Sequence, residues 1–448
     1  MKKTSLLLLM LLISGSCMLL SSCTENKDRI PALLERKKDM GPPEELATIK
    51  TTYDKATDAI KKDPEDLKQY ITLATVFISE GRITGNNAYY GNAAVRMLDK
   101  VSTETTGNKD LIFQSLSLKS AVLLNMHQFK DALQAAQQGM AINSYNAGIY
   151  GALVDANVEL GNYDEAVKDC DKMISIRPDL RSYSRASYLR QIYGQNAGAI
   201  DAMKMAVEAG MPGAENTEWA RTNLGDLYLN NGNADSASYM YCMSLAYRPD
   251  YPFALIGMAR VEKAKKNYDS AIFYTKSAIQ IRSEAAFVSF LADLYELKGD
   301  AAKAKETRND VVELLEEGLK DEPRDARVRH NASRELATAY LDAGKPDKAL
   351  EYARTDLDMR PNNIDANQQI AWIYFTLGDY ANAKIHADKM LATNTKNANT
   401  LYTAGIIYSK AGDIQKGNEL MRDALAVSPY IDQHLLSQTK APIALTQR

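Results

Sequence analysis

The side chains most able to do chemistry in this 448-residue chain are few and scattered. Four histidines, His127, His330, His386 and His434, lie far apart and show no metal-ligand spacing. Asp169 and Asp171 flank Cys170, but alternate residues of a helix do not share a face, so the three do not form a thiol with two helpers. Adjacent carboxylates such as Glu316 and Glu317 read as a solvated face. Ser437 to Lys440 (SQTK) fits an S-x-x-K pattern, yet it stands in the tail without companion motifs. Two free positions make such a match common by accident. No HExxH, G-x-S-x-G, P-loop or dinucleotide fingerprint is present. The residue types argue against an enzyme and ask for no metal and no cofactor.

Composition narrows the field further. With 45% hydrophobic and 25% charged residues and a mean hydropathy of −0.35, the chain is neither disordered nor multispan. A formal charge of −3 without a dense Lys/Arg run argues against nucleic acid, whose phosphates ask for a basic face. Function must then be sought in the elements. Gly161 to Pro178, GNYDEAVKDCDKMISIRP, opens on a helix-stopping glycine and closes on a proline. Between them Ala166, Val167, Cys170, Met173, Ile174 and Ile176 fall at helical spacing.

The same punctuation recurs along the chain. Residues 218–251 carry Leu224-Gly225, Tyr228, Gly232-Asn233, Ala237, Tyr241 and Pro249 at the spacings of a 34-residue helix–turn–helix pattern, with Arg221 where the pattern has Trp. Small residues at Gly225 and Ala237 let two antiparallel helices approach. Gly232 suits a left-handed helix end, and Pro249 cannot continue the second helix. Aligning turn glycine and following alanine places units at 113–146, 147–180, 181–214, 252–284, 285–318, 330–363, 364–397 and 398–431. Their starts, with 218 included, are 34, 34, 37, 34, 33, 45, 34 and 34 residues apart. His127 replaces the turn glycine of unit 113, and Gly194 lies slightly out of register.

On these residues the chain resembles the tetratricopeptide-repeat (TPR) family over 113–431, with a degenerate tenth unit at 67–106. The resemblance implies an all-α fold, a right-handed α-solenoid of about ten TPR helix–turn–helix repeats. The expected organisation is a helix at 44–62 leading an N-terminal block (44–318), a linker or helix extension (319–329), a C-terminal block (330–431) and a capping tail (432–448). Within the first unit, RITGNNAYYG (82–91) reads as an extra loop between the two helices.

In that family the concave surface, lined by the first helix of each unit, is the usual peptide-binding groove. Positions 2, 5, 9 and 12 of a unit form one stripe at helical spacing. The stripe and its immediate neighbours offer Asp155, Arg185, Tyr193, Trp219, Asn223, Asp226, Arg260, Asp293, Gln368, Trp372 and Tyr402. Both tryptophans fall on it, and aromatic and Arg side chains are common binding anchors. The Lys and Asn pair with which chaperone-binding members clamp a C-terminal carboxylate is missing. Tyr228, Tyr295, Tyr340, Tyr374 and Tyr408 occupy one repeat position and read as scaffold.

The N-terminus carries a different signal. Lys2 and Lys3 precede an apolar core, Leu6 to Ile13, that suits a secretory signal and is too short for a comfortable membrane span. Leu20-Ser21-Ser22-Cys23 resembles the bacterial lipobox; Cys17 fits less well, because Ser14 stands where the apolar residue belongs. The resemblance implies removal of residues 1–22, lipidation of Cys23 and a tether over 23–43. Thr24, in place of an aspartate, implies the outer membrane, with the face left open. Losing Lys2 and Lys3 takes the charge from −3 to −5. Cys170 and Cys242 both fall in stretches of packed helix and are expected to be small buried hydrophobes rather than a disulfide.

Together these readings predict a non-enzymatic, lipid-anchored scaffold that binds an envelope protein or peptide in its concave groove. It would touch the membrane through its anchor only and bind no nucleic acid. The alternative is a SusD-like glycan-binding lipoprotein, a family that also builds on TPR helices. Its sugar site sits in large irregular segments, whereas the units here run nearly unbroken.

Overall fold

A computed structural model describes residues 30–36, 43–84, 86–103, 107–320 and 331–438. The signal segment, Cys23, most of the tether, His330 and the centre of the 319–329 segment lie outside the described residues. Among the described residues the chain forms 22 helices and no strand. Helix α1 (Pro43–Lys62) leads. Ten antiparallel pairs follow, beginning with α2 (Leu67–Thr84) and α3 (Asn87–Thr103), α4 (Lys109–Asn125) and α5 (Phe129–Ile142), and α6 (Ala147–Leu160) and α7 (Tyr163–Ile176). Next come α8 (Leu180–Ile192) and α9 (Asn196–Glu208), α10 (Glu215–Asn230) and α11 (Ala234–Tyr247), and α12 (Pro252–Ala264) and α13 (Tyr268–Ile281). The last four pairs are α14 (Ala285–Leu297) and α15 (Ala301–Lys320), α16 (Ser333–Asp342) and α17 (Pro346–Met359), α18 (Ile364–Thr376) and α19 (Tyr380–Met390), and α20 (Ala398–Lys410) and α21 (Ile414–Val427). A short α22 (Gln433–Ser437) ends the described chain. The architecture is an all-α solenoid of ten helix–turn–helix repeats.

Reversal between paired helices takes only a few residues, so one of them must adopt the left-handed region. Gly161, Gly194, Gly232, Gly299, Gly344, Gly378 and Gly412 do so, with φ from +69° to +94°. Where no glycine is available, His127 (φ 56°) and Lys266 (φ 62°) take the same conformation. At the helix starts, Asn146 accepts from the backbone of Gly148 and Ile149, and Asp179 forms a capping box with Ser182. Small residues then set the packing distance. A Cβ at Gly225 would stand 2.5 Å from the ring of fully buried Tyr241, and one at Gly257 would stand 2.3 Å from it.

Two expectations need correction. The stretch 82–91 is not an extra loop: α2 runs through Thr84 and α3 starts at Asn87. Tyr90 explains this, because its fully buried ring stacks on Phe77 at 6.2 Å and its hydroxyl accepts the Leu34 backbone N–H. Cys170 is buried, but Cys242 is exposed on α11, one residue past the inward-facing Tyr241; both are free thiols.

Stacking continues from α15 into α16, where Val311 and Val312 join Leu336 and Ala337 in one apolar cluster. The solenoid also folds back onto itself. The turns of units 113, 147, 181 and 218 meet, in the same order, the connecting segments that lie six units further on. Asn331 donates its backbone N–H to the Met126 carbonyl, and His127 Nδ1 lies 2.9 Å from the Asn331 carbonyl. Asn363 Nδ2 donates to the Val158 and Glu159 carbonyls, and the Tyr163 hydroxyl accepts the Ile364 N–H at 2.8 Å. Arg360, 1% exposed, binds Asp356 with two bonds of 2.8 and 2.7 Å and reaches across to Glu159 at 2.5 Å. Further along, Asn196 donates to the Lys396 carbonyl, and Gly232 lies against Pro429. One coil of the superhelix thus rests on the other through backbone and buried charge.

Candidate inner-face binding site

At the stripe positions of the first helices several charged side chains pair with one another. Arg185 Nε donates to Asp155 at 2.8 Å and to the Gly151 carbonyl, linking α8 to α6. Asp226 accepts from Arg260 at 2.8 Å and from the Tyr241 hydroxyl at 2.6 Å, linking α10, α12 and α11. Gln368 Oε1 accepts from Thr400 Oγ1 at 2.8 Å. Asn223 turns its amide onto the Trp219 carbonyl of its own helix, and Tyr193, at the end of α8, donates its hydroxyl to Asp164. Trp219 remains 41% exposed.

Asp293, Gln368 and Trp372 come together in one cavity of about 770 Å³ between α14, α16, α18 and α22. Trp372 forms part of its wall, stacked on Phe375 at 4.7 Å and met edge-on by His434 at 6.1 Å. Tyr402 does not join them. It is 2% exposed and belongs to an apolar cluster against which Leu435 and Leu436 of α22 pack, so it is core rather than groove.

The cavity also holds residues outside the stripe read from the sequence: Asp342, Arg308 and Asp432. Asp342 stands one helical turn beyond the stripe residue Thr338, so i, i+4 spacing carried its signal. Arg308 reaches inward from a second helix, α15, and Asp432 caps α22. Neither follows from first-helix periodicity. Arg308 is held by Asp293 at 3.3 Å and by Glu296. Lys263 is held by Asp432 at 3.0 Å, and Arg334 lies 3.9 Å from Asp365.

These contacts set the protonation of the site. Burial pushes the Asp342 carboxyl up to about 7; the Asp293 carboxylate adds to the rise, and Arg308 and the Ser289 hydroxyl, which donates at 3.3 Å, oppose it. Burial also raises Asp293, against the pull of Lys263 and Arg308. Asp432 is partly desolvated, but Lys263 holds it below the ordinary carboxylate value. Two buried atoms of the wall, Gln369 Oε1 and Arg308 Nε, make no hydrogen bond. Among the described residues no three metal-ligating side chains gather, and no helix is long and apolar enough to cross a membrane.

Comparison with known proteins matches the repeat. Two profiles described as tetratricopeptide repeat cover residues 147–180 and 334–398, so the chain carries tetratricopeptide repeats. It is 25% identical over 270 residues to cellulose synthase 1 operon protein C of Komagataeibacter xylinus, a match covering 57% of this chain and 19% of that protein. It is 31% identical over 137 residues to cellulose synthase operon protein C of Pseudomonas fluorescens (strain SBW25), covering 30% of this chain and 10% of that one. The chain therefore spans a fifth or less of these relatives. Among solved structures, a thermophilic TPR protein of Thermus thermophilus is 17% identical with a TM-score of 0.36, over 48% of this chain and 99% of that one.

Proposed function

We propose that this chain is a non-enzymatic scaffold, held at the cell envelope by a lipid on Cys23, that docks a protein or peptide partner along the inside of its coil. One observation carries the reading: first-helix positions from separate repeats converge on a single cavity that includes Trp372, Asp293 and Gln368. A concave wall with an aromatic anchor and a few convergent polar groups is what an extended partner segment needs. The relatives named for cellulose synthase operons share the repeat over a small part of their length, so the reading takes from them a repeat scaffold and not a substrate. The apolar core and lipobox-like cysteine of the N-terminus support the anchor. Ten pairs in close succession, without a large irregular insertion among the described residues, weigh against the glycan-capture alternative.

Pull-down from the native host tests the docking. Trp219→Ala and Trp372→Ala are expected to weaken recovery of envelope proteins while helical content stays the same. Unchanged co-purification in both variants would sink the assignment of the inner face. The anchor is tested separately: Cys23→Ser is expected to move the protein from the membrane to the soluble fraction and to end its labelling by radioactive palmitate.

A further inference from the structure

We propose that the cavity between α14, α16, α18 and α22 takes a cationic side chain of the partner, a lysine ammonium or arginine guanidinium, held by the Asp342 carboxylate beside the Trp372 ring. The inference rests on the peptide-docking reading above and names what that surface selects.

Charge complementarity makes the argument. Five carboxylates line the cavity, Asp293, Glu296, Asp342, Asp365 and Asp432, against three permanent cations, Lys263, Arg308 and Arg334. Each cation is already engaged: Lys263 with Asp432, Arg308 with Asp293 and Glu296, and Arg334 near Asp365. Among the described residues Asp342 forms no ion pair, and its hydrogen-bond donor is the neutral Ser289 hydroxyl. An anionic occupant would meet a wall with a surplus of carboxylates. A neutral one would leave the partly buried Asp342 without a counter-charge, an unfavourable arrangement for the ionised form. An ammonium or guanidinium supplies that charge and can lie over the indole face.

The proposal has a pH signature. The charged groups facing Asp342 are Asp293 of α14, Arg308 of α15 and Asp432 before α22, while Arg334 on its own helix turns to Asp365. A cation binds the ionised carboxyl, whose value without ligand is about 7. Affinity is therefore full above that pH and is lost as pH falls through it, by about tenfold between pH ~8 and pH ~6.

The test uses the full chain, immobilised, and a phage-displayed random-peptide library as probe. Recovered peptides are resynthesised with each Lys replaced by norleucine and each Arg by citrulline, then titrated into wild type and Asp342→Asn. Recovered peptides carrying Lys or Arg, weakened about tenfold or more by the neutral replacement and by Asp342→Asn, support the inference. The pH dependence must also vanish in Asp342→Asn; its persistence would assign it to another group of the wall and overturn the role given to Asp342. Peptides that bind with no preference for cations overturn the cation site and leave the docking reading standing. Recovery of no peptide at all overturns the docking reading and the cation site with it. The norleucine and citrulline peptides test charge on the wild-type protein, so the result does not hang on how the variant folds.

Discussion

Arg360 heads the fully buried side chains by size among the described residues, and its guanidinium is shared between Asp356 of its own helix and Glu159 of the neighbouring coil. A buried cation with two carboxylates is neutral in stability only while all three are present. Truncating the arginine leaves Asp356 inside the protein with no counter-charge. Arg360→Ala is expected to destabilise the fold by about 3–5 kcal/mol, measured by urea denaturation, while replacing all three residues with apolar ones of similar volume should recover most of that loss. A loss under about 1 kcal/mol would mean that the contact is solvated. At this scale the sequence was partly legible. Stripe spacing located Asp155, Arg185, Asp226 and Arg260, but could not show that they pair with one another across adjacent repeats, nor that Asp293 pairs with Arg308 of its own repeat. Arg360 reads locally as a residue before a proline, because its partner Glu159 lies 201 residues away. Tyr402 sits on the stripe and is nevertheless covered, since periodicity assigns a face and says nothing of what later packs on it.

The turn glycines allow an internal comparison between elements. Gly161 (φ +78°) and Gly344 (φ +72°) hold the same turn position and the same strained backbone. A Cβ at Gly344 meets nothing within 4 Å, whereas one at Gly161 would stand 2.4 Å from the Asn362 backbone on the other coil. Gly344→Ala is expected to cost about 1–2 kcal/mol, the left-handed penalty alone. Gly161→Ala should cost distinctly more, because the neighbouring coil must also shift. Equal losses in thermal denaturation would show that the coil contact contributes nothing at that turn. Helix pairs and turns were readable from the sequence because they follow from local chemistry, glycine after one amphipathic run and proline after the next. The error at 82–91 arose the same way. Gly and Asn there suggested a loop, while burial of Tyr90 against Phe77 and the Leu34 backbone overrides that preference.

The molecule as a whole is a superhelix whose second coil rests on its first, an arrangement with no local sequence signature, since every contact spans roughly two hundred residues. In a solenoid each repeat is stabilised chiefly by its neighbours, so the coils should part without unfolding. The double variant Gly161→Ala, Arg360→Ala is expected to show a larger radius of gyration by small-angle X-ray scattering with helical content unchanged. An unchanged radius would place the coil contact elsewhere along the seam. Between α14, α16, α18 and α22 the stripe deepens into an open cavity with Trp372 in its wall, and docking there is the heart of the functional account. Photo-cross-linking in the native host tests it most directly, with a benzophenone side chain placed at position 219 or 372 on the inside, or in place of the exposed Tyr239 or Phe273 on second helices. The account predicts protein adducts from the inner positions and none from the outer ones; adducts from Tyr239 or Phe273 alone would contradict it.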